Sequence, residues 1–146
     1  MRQVKSCGVI VMRTKPQLSF LLMQHPTRYD LPKGHIEAGE DEWSCALREL
    51  YEETGIEASS LKLDERFRFT ITYQARYKRF GSETVEKTLV IFLGLLEQDV
   101  TIKLTEHSSY TWISWHPPHA IQEQTIDPLL EQLEHYLRKE NLNAKV

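Results

Sequence analysis

The sequence predicts a single α/β domain over residues 1–146, in which a mixed β-sheet lies between helices. Three observations lead to this fold class. The chain has 146 residues, which is the usual length of one domain with its own core. Short apolar runs and one strictly alternating stretch have the patterns of β-strands. Two further segments have the period of amphipathic helices.

Six segments have strand patterns. Residues 66–73 alternate strictly, with Phe67 and Phe69 on one face and Arg66 and Arg68 on the other, as expected of a half-buried strand. Residues 88–96 are continuously apolar, which favours a central strand covered on both faces. The complete set of predicted strands is 7–12, 18–24, 66–73, 88–96, 100–104 and 110–115.

The first predicted helix runs from about Asp41, a favourable N-cap residue, to about Thr54, with Gly55 as its stop. At about 100° per residue, apolar side chains collect on one side of this helix and acidic side chains on the opposite side. The apolar side consists of Trp43, Leu47, Leu50 and Tyr51, and the acidic side consists of Glu49, Glu52 and Glu53.

A second helix is predicted to begin at Asp127 as the N-cap, with Pro128 at the first helical position. The leucines that follow recur at helical spacing and form an ordinary packing stripe. They are Leu129, Leu130, Leu133 and Leu137.

Charge, hydropathy and cysteine content exclude several functional classes. A net charge of −3 offers no basic face for duplex nucleic acid. No apolar run approaches the roughly 20 residues that a membrane span needs. Once the core is assigned, no long exposed apolar stripe remains, which favours a monomer. The two cysteines, Cys7 and Cys45, are predicted to be small core residues of a protein in a reducing compartment, so we expect a cytoplasmic location.

The segment 48–55, RELYEETG, places three glutamates where electrostatics disfavours them. Glu49 lies three and four residues before Glu52 and Glu53, and each such like-charge pair costs roughly 0.2–0.5 kcal/mol. The three acids also lie near the helix C-terminus, where the macrodipole is negative. Taken alone, the segment is more often a solvated helix face in which Arg48 pairs with Glu52.

The residues around this segment form a longer pattern. Gly34 is followed after five residues by Glu40, and after seven more by Arg48, and the sequence then continues to Ile56. Residues 34–56 resemble the Nudix box, G-x5-E-x7-R-E-U-x-E-E-x-G-U, in which U is a bulky aliphatic residue, and every fixed position is filled. The resemblance implies a Nudix-type α/β/α sandwich with a catalytic loop-helix-loop.

The chemistry of the acids agrees with this resemblance. Hard cations such as Mg²⁺ prefer oxygen ligands, usually carboxylates together with substrate phosphate. A bound cation would reverse the sign of the repulsion among the glutamates. It would also activate water and neutralise charge on the leaving phosphate. We therefore expect Mg²⁺ as the cofactor, with Mn²⁺ as an alternative.

The resemblance also implies roles for individual residues. Glu52 and Glu53 are the expected core metal ligands, and Glu49 is either a third ligand or the general base. Glu40 is expected to support these ligands or to bind an additional ion, and Arg48 to orient a carboxylate. A backbone carbonyl at Lys33 or Gly34 is expected to supply an oxygen. Outside the box, Glu106 is the best candidate for the general base.

Beyond the box, the chain resembles the asymmetrical diadenosine tetraphosphate hydrolases. The resemblance is carried by CGVIVMR, PKGHIEAGED, ALRELYEETGIEASSL, YQARYK, EKTLVIFL, DVTIKLTEH and YTWISW, in that order. It implies cleavage of the tetraphosphate into ATP and AMP. The substrate contacts expected from it are Lys33 and His35 beside phosphate, Lys87 in a cleft, and Tyr77 and Tyr110 stacked on adenine.

Two other functions remain open on the sequence alone. The same chemistry acts on other pyrophosphates, such as a nucleoside triphosphate, a nucleotide sugar or a triphosphorylated RNA 5′ end. A Nudix fold can also bind a nucleotide to regulate a partner without catalysis. Such modules usually lose box glutamates, whereas this chain keeps all of them.

Overall fold

The computed structural model describes residues 2–76, 81, 83–105 and 109–140. This part of the chain contains seven strands, one short 3-10 turn and two α-helices. In order, they are β1 (Arg2–Arg13), β2 (Ser19–Gln24), β3 (Tyr29–Asp30), β4 (Lys33–His35), α1 (Glu42–Thr54), the 3-10 turn (Ala58–Ser60), β5 (Leu61–Arg76), β6 (Thr84–Leu96), β7 (Ser109–Ser114) and α2 (Ile126–Lys139).

One mixed sheet contains all seven strands. The long strands β1 and β6 run parallel at its centre, and β5 pairs antiparallel with the other edge of β6. On its opposite edge, β1 pairs antiparallel with both β2 and β4. Strands β3 and β7 then pair with β2. The prediction of a mixed sheet with 88–96 as a covered central strand is confirmed.

Each face of the sheet carries its own hydrophobic core. Successive residues of a strand point to opposite faces, so Ile10 packs on the α2 side while Val9 packs on the α1 side. Leu133 of α2 belongs to the first core, and Leu50 of α1 belongs to the second. The predicted sandwich of helix, sheet and helix is therefore confirmed.

The ends of α1 are as predicted. Asp41 is the N-cap, and its Oδ1 accepts a hydrogen bond from Ser44 N at 2.7 Å. Gly55 ends the helix with a φ of 77°, a conformation in which a side chain would be strained, and its N–H donates to Tyr51 O. The prediction that Tyr51 packs on the apolar side is wrong, because its side chain is 55% exposed.

One predicted strand and one predicted helix start are also wrong. Residues 100–104 form no strand, because this segment bonds to a helix end instead of a neighbouring strand: Lys103 N donates to Thr54 O. Helix α2 begins at Ile126, with Thr125 as its N-cap, so Asp127 lies within the first turn. The Asp127 carboxylate accepts from the backbone of the preceding loop, at Ile121 N, rather than from its own helix.

Candidate active site

The loop before α1 reaches the site because β4 pairs with the middle of β1. Lys33 lies opposite Gly8, and His35 lies opposite Ser6. A Cβ at Gly8 would lie 2.6 Å from Cβ of Lys33, closer than two such atoms can approach, so position 8 requires glycine. Since α1 packs against the same strand, the loop and the helix converge.

Gly34 is the point at which the loop touches the helix. A Cβ at this position would overlap the carboxylate of Glu49, so that carboxylate lies directly against the loop backbone. One turn earlier in α1, Cys45 Sγ lies 3.4 Å from Gly34 O and donates to it. The first glycine of the box is therefore explained by close approach of an acidic side chain.

Glu53 is buried, whereas Glu49 is partly exposed and Glu52 is exposed. Glu53 is 7% exposed, and its Oε2 accepts a hydrogen bond from Lys33 N at 2.8 Å. Burial raises the pKa of the Glu53 carboxyl to about 8, and the charge of Glu49 acts in the same direction, while the Lys33 N–H opposes them. The prediction that Glu53 lies opposite the packed side of α1 is wrong, because it lies at the border of the packed face.

Arg48 connects the other glutamates of the box. Its Nε and Nη2 donate to the two oxygens of Glu40, at 2.7 and 3.0 Å. Its Nη1 lies 2.9 Å from Glu49 Oε1 and 3.2 Å from Glu52 Oε2, and Nη2 also donates to the His35 carbonyl. The guanidinium thus fixes the loop to the helix and bridges three carboxylates.

Glu40 is held in its charged form by these contacts. Hydrogen bonds from Arg48, and a further one from Glu37 N, lower the pKa of the Glu40 carboxyl to about 2. The planar fork of an arginine matches two carboxylate oxygens at once, which a lysine does not. Glu40 is therefore connected to Glu49 and Glu52 through Arg48.

An ion cluster that the sequence did not predict anchors the start of α1. Glu42 accepts from Lys5 at 2.9 Å and from two nitrogens of Arg68 at 3.0 Å, which ties the helix to β1 and β5. These contacts, Arg68 first, lower the pKa of the Glu42 carboxyl to about 2. Nothing local in the sequence indicates this cluster, because its members are far apart along the chain.

A cleft of about 590 Å³ opens beside the box. Its lining is acidic where Glu49, Glu52 and Glu53 lie, and it also includes Lys33 and Lys87. The complete lining consists of Ser6, Lys33, Gly34, His35, Ile36, Glu37, Glu49, Glu52, Glu53 and Lys87. The structure thus brings together in one cleft a group of predicted metal ligands and a group of predicted phosphate contacts.

Two of these cations have defined surroundings. Lys87 is 8% exposed and lies in β6, across from Tyr73 of β5. The Lys33 ammonium lies 3.2 Å from Asp30, a partner that sequence reasoning missed. Although burial acts in the opposite direction, Lys33 and the N–H of Leu31 lower the pKa of the Asp30 carboxyl. Asp30 thereby restrains the direction of the Lys33 side chain.

One predicted contact, Tyr110, lies elsewhere. Tyr110 is 39% exposed on β7, opposite Met23, and does not line the cleft. Tyr77 and Glu106 lie outside the described residues. The hydroxyl of Thr105, immediately before Glu106, donates to Glu52 O at 2.9 Å, which ties this segment to the last turn of α1.

The donor set fits a hard divalent cation. Within the described ranges, no three His, Cys, Asp or Glu side chains already form a closed metal cage. Glu49 and Glu53 nevertheless place two carboxylates on one face of α1, and burial of Glu53 makes its charge costly without a cation. All the candidate donors are oxygens, which Mg²⁺ and Mn²⁺ accept.

The comparison with known proteins decides the family. A model of the NUDIX domain matches residues 2–137. The chain belongs to the Nudix family. This match confirms the resemblance inferred from residues 34–56.

Individual relatives of this Nudix protein are also informative. The bis(5′-nucleosyl)-tetraphosphatase [asymmetrical] of Rattus norvegicus is 37% identical over 122 residues, covering 75% of this chain and 78% of the relative. A crystal structure of a C. elegans Ap4A hydrolase binary complex superposes with a TM-score of 0.79 at 28% identity, covering 93% of this chain and 98% of that one. The chain is accordingly a Nudix hydrolase. Among the residues described, no helix is long and apolar enough to cross a membrane.

Proposed function

We propose that this Nudix hydrolase cleaves diadenosine tetraphosphate asymmetrically, to ATP and AMP, with Mg²⁺ bound at the box glutamates. The observation that carries the proposal is the buried Glu53 beside Glu49, at the edge of a cleft that also contains Lys33 and Lys87. Acids that bind a cation beside lysines that bind phosphate suit a polyphosphate substrate. Relatives named as asymmetrical tetraphosphatases support the choice of substrate.

The proposed roles follow from position. Glu53, Glu52 and Glu49 hold the metal together with a backbone carbonyl of Lys33 or Gly34. When bound, the metal supplies an activated water and stabilises charge on the leaving phosphate. Glu40 acts by fixing Arg48, and Arg48 in turn orients Glu49 and Glu52.

The substrate is held by groups around the metal. In this proposal, Lys33, His35 and Lys87 neutralise the polyphosphate, while Tyr77 and Tyr110 stack on adenine. Glu106 removes the proton from water, with Glu49 as the alternative base. The choice of Glu106 is supported by its neighbour in the chain, Thr105, whose hydroxyl donates to Glu52 O.

The remaining parts of the proposal concern the whole protein. We propose that residues 1–146 act as one domain, as a monomer in the cytoplasm. Two free buried cysteines, Cys7 and Cys45, suit a reducing compartment. Sedimentation of the purified protein with and without Mg²⁺ tests the monomer, and a dimer in either condition would contradict it.

The test of catalysis compares Glu53→Gln with Glu57→Gln at saturating Mg²⁺. Glu57 is an exposed glutamate just beyond the box and serves as the matched control. We expect Glu53→Gln to lower kcat by at least roughly a hundredfold, because an electrostatic contact to the reacting groups is lost. Turnover of Glu53→Gln at the level of Glu57→Gln would remove the metal-site assignment.

The test of substrate is product analysis with a panel of pyrophosphates. Diadenosine tetraphosphate should give ATP and AMP as the first products. Formation of two ADP would contradict the asymmetrical cleavage. A relative named RNA pyrophosphohydrolase, from Hydrogenovibrio crunogenus, is 25% identical over 146 residues, so triphosphorylated RNA belongs in the panel as the second candidate. Faster turnover of that RNA, a nucleoside triphosphate or a nucleotide sugar would replace the proposed substrate.

A further inference from the structure

Ser6 is a buried polar residue in the cleft whose hydroxyl is unexplained. The residue is 1% exposed, and its Oγ makes no hydrogen bond with any residue that the structure describes. Ser6 also lines the cleft beside the box. A buried hydroxyl without a partner destabilises a folded protein, whereas an alanine at the same position does not.

The strand register places Ser6 beside other residues that line the cleft. In β1, it lies directly opposite His35 of β4 on one side and Leu89 of β6 on the other. Lys87 is two residues from Leu89 in β6, so its side chain points to the same face of the sheet as that of Ser6. Ser6 therefore shares one face of the sheet with His35 and Lys87, two residues that the proposed function assigns to phosphate.

These surroundings select the chemistry of a ligand for Ser6. Lys33 and Lys87 line the same cleft and attract an anion, and a hydroxyl donates readily to a charged oxygen. The Ser6 Oγ is buried, so we expect a change of χ1 rotamer to turn it toward the anion on binding. A phosphate oxygen bound between the strands is both charged, as the two lysines require, and able to accept a hydrogen bond from the hydroxyl.

We propose that Ser6 is a substrate-binding residue whose hydroxyl donates a hydrogen bond to a non-bridging phosphate oxygen of the polyphosphate, between His35 and Lys87. This inference rests on the proposed function for the class of substrate. It adds a substrate contact in the cleft, at a residue outside the box.

The experiment compares Ser6→Ala with Ser19→Ala by calorimetric titration with inorganic tripolyphosphate in saturating Mg²⁺. Ser19 is also a buried strand serine, 3% exposed, but its hydroxyl accepts from Arg13 and lies outside the cleft. We expect Ser6→Ala to weaken tripolyphosphate binding roughly tenfold, which is the usual size of a hydrogen bond to a charged group. Ser19→Ala should bind as the parent does. Ser6→Cys keeps a similar volume with a weak donor, and it should behave as Ser6→Ala does.

A second readout is stability in the absence of ligand. Ser6→Ala should unfold at the same urea concentration as the parent or a higher one, whereas Ser19→Ala should unfold at a lower one because it loses a partner. Unchanged tripolyphosphate affinity in both Ser6 variants would overturn the proposal. The proposal would also be overturned if the Ser6 variants lost affinity for the methylene analogue of diadenosine tetraphosphate but not for tripolyphosphate. The hydroxyl would then contact a base or a ribose.

Failure of this inference is separable from failure of the proposed function. If the parent protein does not cleave diadenosine tetraphosphate while Ser6→Ala still weakens tripolyphosphate binding, the substrate is wrong and the Ser6 contact is supported. If the parent cleaves it to ATP and AMP while both Ser6 variants bind tripolyphosphate normally, only the Ser6 contact is wrong.

Discussion

Replacing Glu53 by glutamine should stabilise the metal-free protein while abolishing its function. The residue is 7% exposed, and burial raises the pKa of its carboxyl from 4.5 to about 8. A glutamine has nearly the same shape and keeps an oxygen that can accept from Lys33 N. It carries no charge, so the cost of burying or protonating the acid disappears.

The magnitude follows from the pKa. One pKa unit corresponds to about 1.36 kcal/mol, so the interval between the ordinary value and pH 7 gives about 3 kcal/mol of lost stability in the parent. The amide NH₂ group that the substitution introduces also needs a hydrogen-bond partner, which reduces the gain. We expect the free energy of unfolding of Glu53→Gln to exceed that of the parent by about 1–3 kcal/mol at neutral pH.

The sign of the pH dependence makes the prediction specific. An acid whose pKa is raised by folding is protonated in both states below its unfolded pKa, and it then carries no charge penalty. As the pH rises through the interval from 4.5 to about 8, the unfolded state releases its proton first, and the folded state becomes progressively less stable relative to it. The gain from Glu53→Gln should therefore be about 1 kcal/mol or less near pH 5 and should increase toward pH 8. Urea unfolding in the presence of a chelator, at several pH values across this interval, measures it.

Glu52→Gln is the matched control for this measurement. Its side chain is 53% exposed and pairs with Arg48 at the surface, so its removal should change stability by less than about 1 kcal/mol at any of these pH values. Addition of Mg²⁺ should then stabilise the parent more than Glu53→Gln, since a ligand stabilises the state that binds it. The reasoning is refuted if metal-free Glu53→Gln is less stable than the parent at both ends of the pH interval.

Two further substitutions test the junction of loop and helix. Gly34→Ala should displace the Glu49 carboxylate and lower kcat at least roughly tenfold with little loss of stability, because the overlapping group is the end of a flexible side chain. Gly39→Ala is its control, because Gly39 has a φ of 81° and open space around it. This change should lower the free energy of unfolding in urea by about 1 kcal/mol and leave kcat unchanged. Equal kcat in the two variants would contradict the role of Gly34. Arg48→Lys keeps the charge but loses the fork, so the Mg²⁺ concentration for half-maximal activity should rise several-fold, and an unchanged Mg²⁺ titration would show that charge alone is sufficient.

The sequence predicted those elements that are determined by interactions between residues close together in the chain. The caps Asp41 and Gly55 fixed both ends of α1, because an N-cap hydrogen bond and a left-handed stop involve only neighbouring residues. The continuous apolar run within β6 identified the central strand for a similar reason: burial on both faces removes polar residues from the segment itself. The register of the box, from Gly34 onward, likewise lies within one contiguous stretch of chain.

The sequence failed where the cause is a contact between distant segments. Residues 100–104 alternate like a strand, but the end of α1 offers a carbonyl to Lys103 N, and the segment forms that contact instead. The burial of Glu53 depends on Lys33 lying over the helix, which helical periodicity does not reveal. The position of Ser6 opposite His35 likewise required the register of β1 with β4.

The distribution of charge within the box is the reason for proposing a cation at one end of it. One guanidinium, that of Arg48, already faces Glu40, Glu49 and Glu52, and Glu40 accepts from two of its nitrogens, at 2.7 and 3.0 Å. The guanidinium therefore stabilises the loop-helix junction more than it neutralises the cleft. Glu53 differs from Glu40 in burial and in pKa, since its carboxyl is raised to about 8 where that of Glu40 is lowered to about 2. In the proposed function, Arg48 holds the loop acid Glu40 at one end of the box and a divalent ion binds Glu53 at the other, so the acids of the box are divided between structure and function.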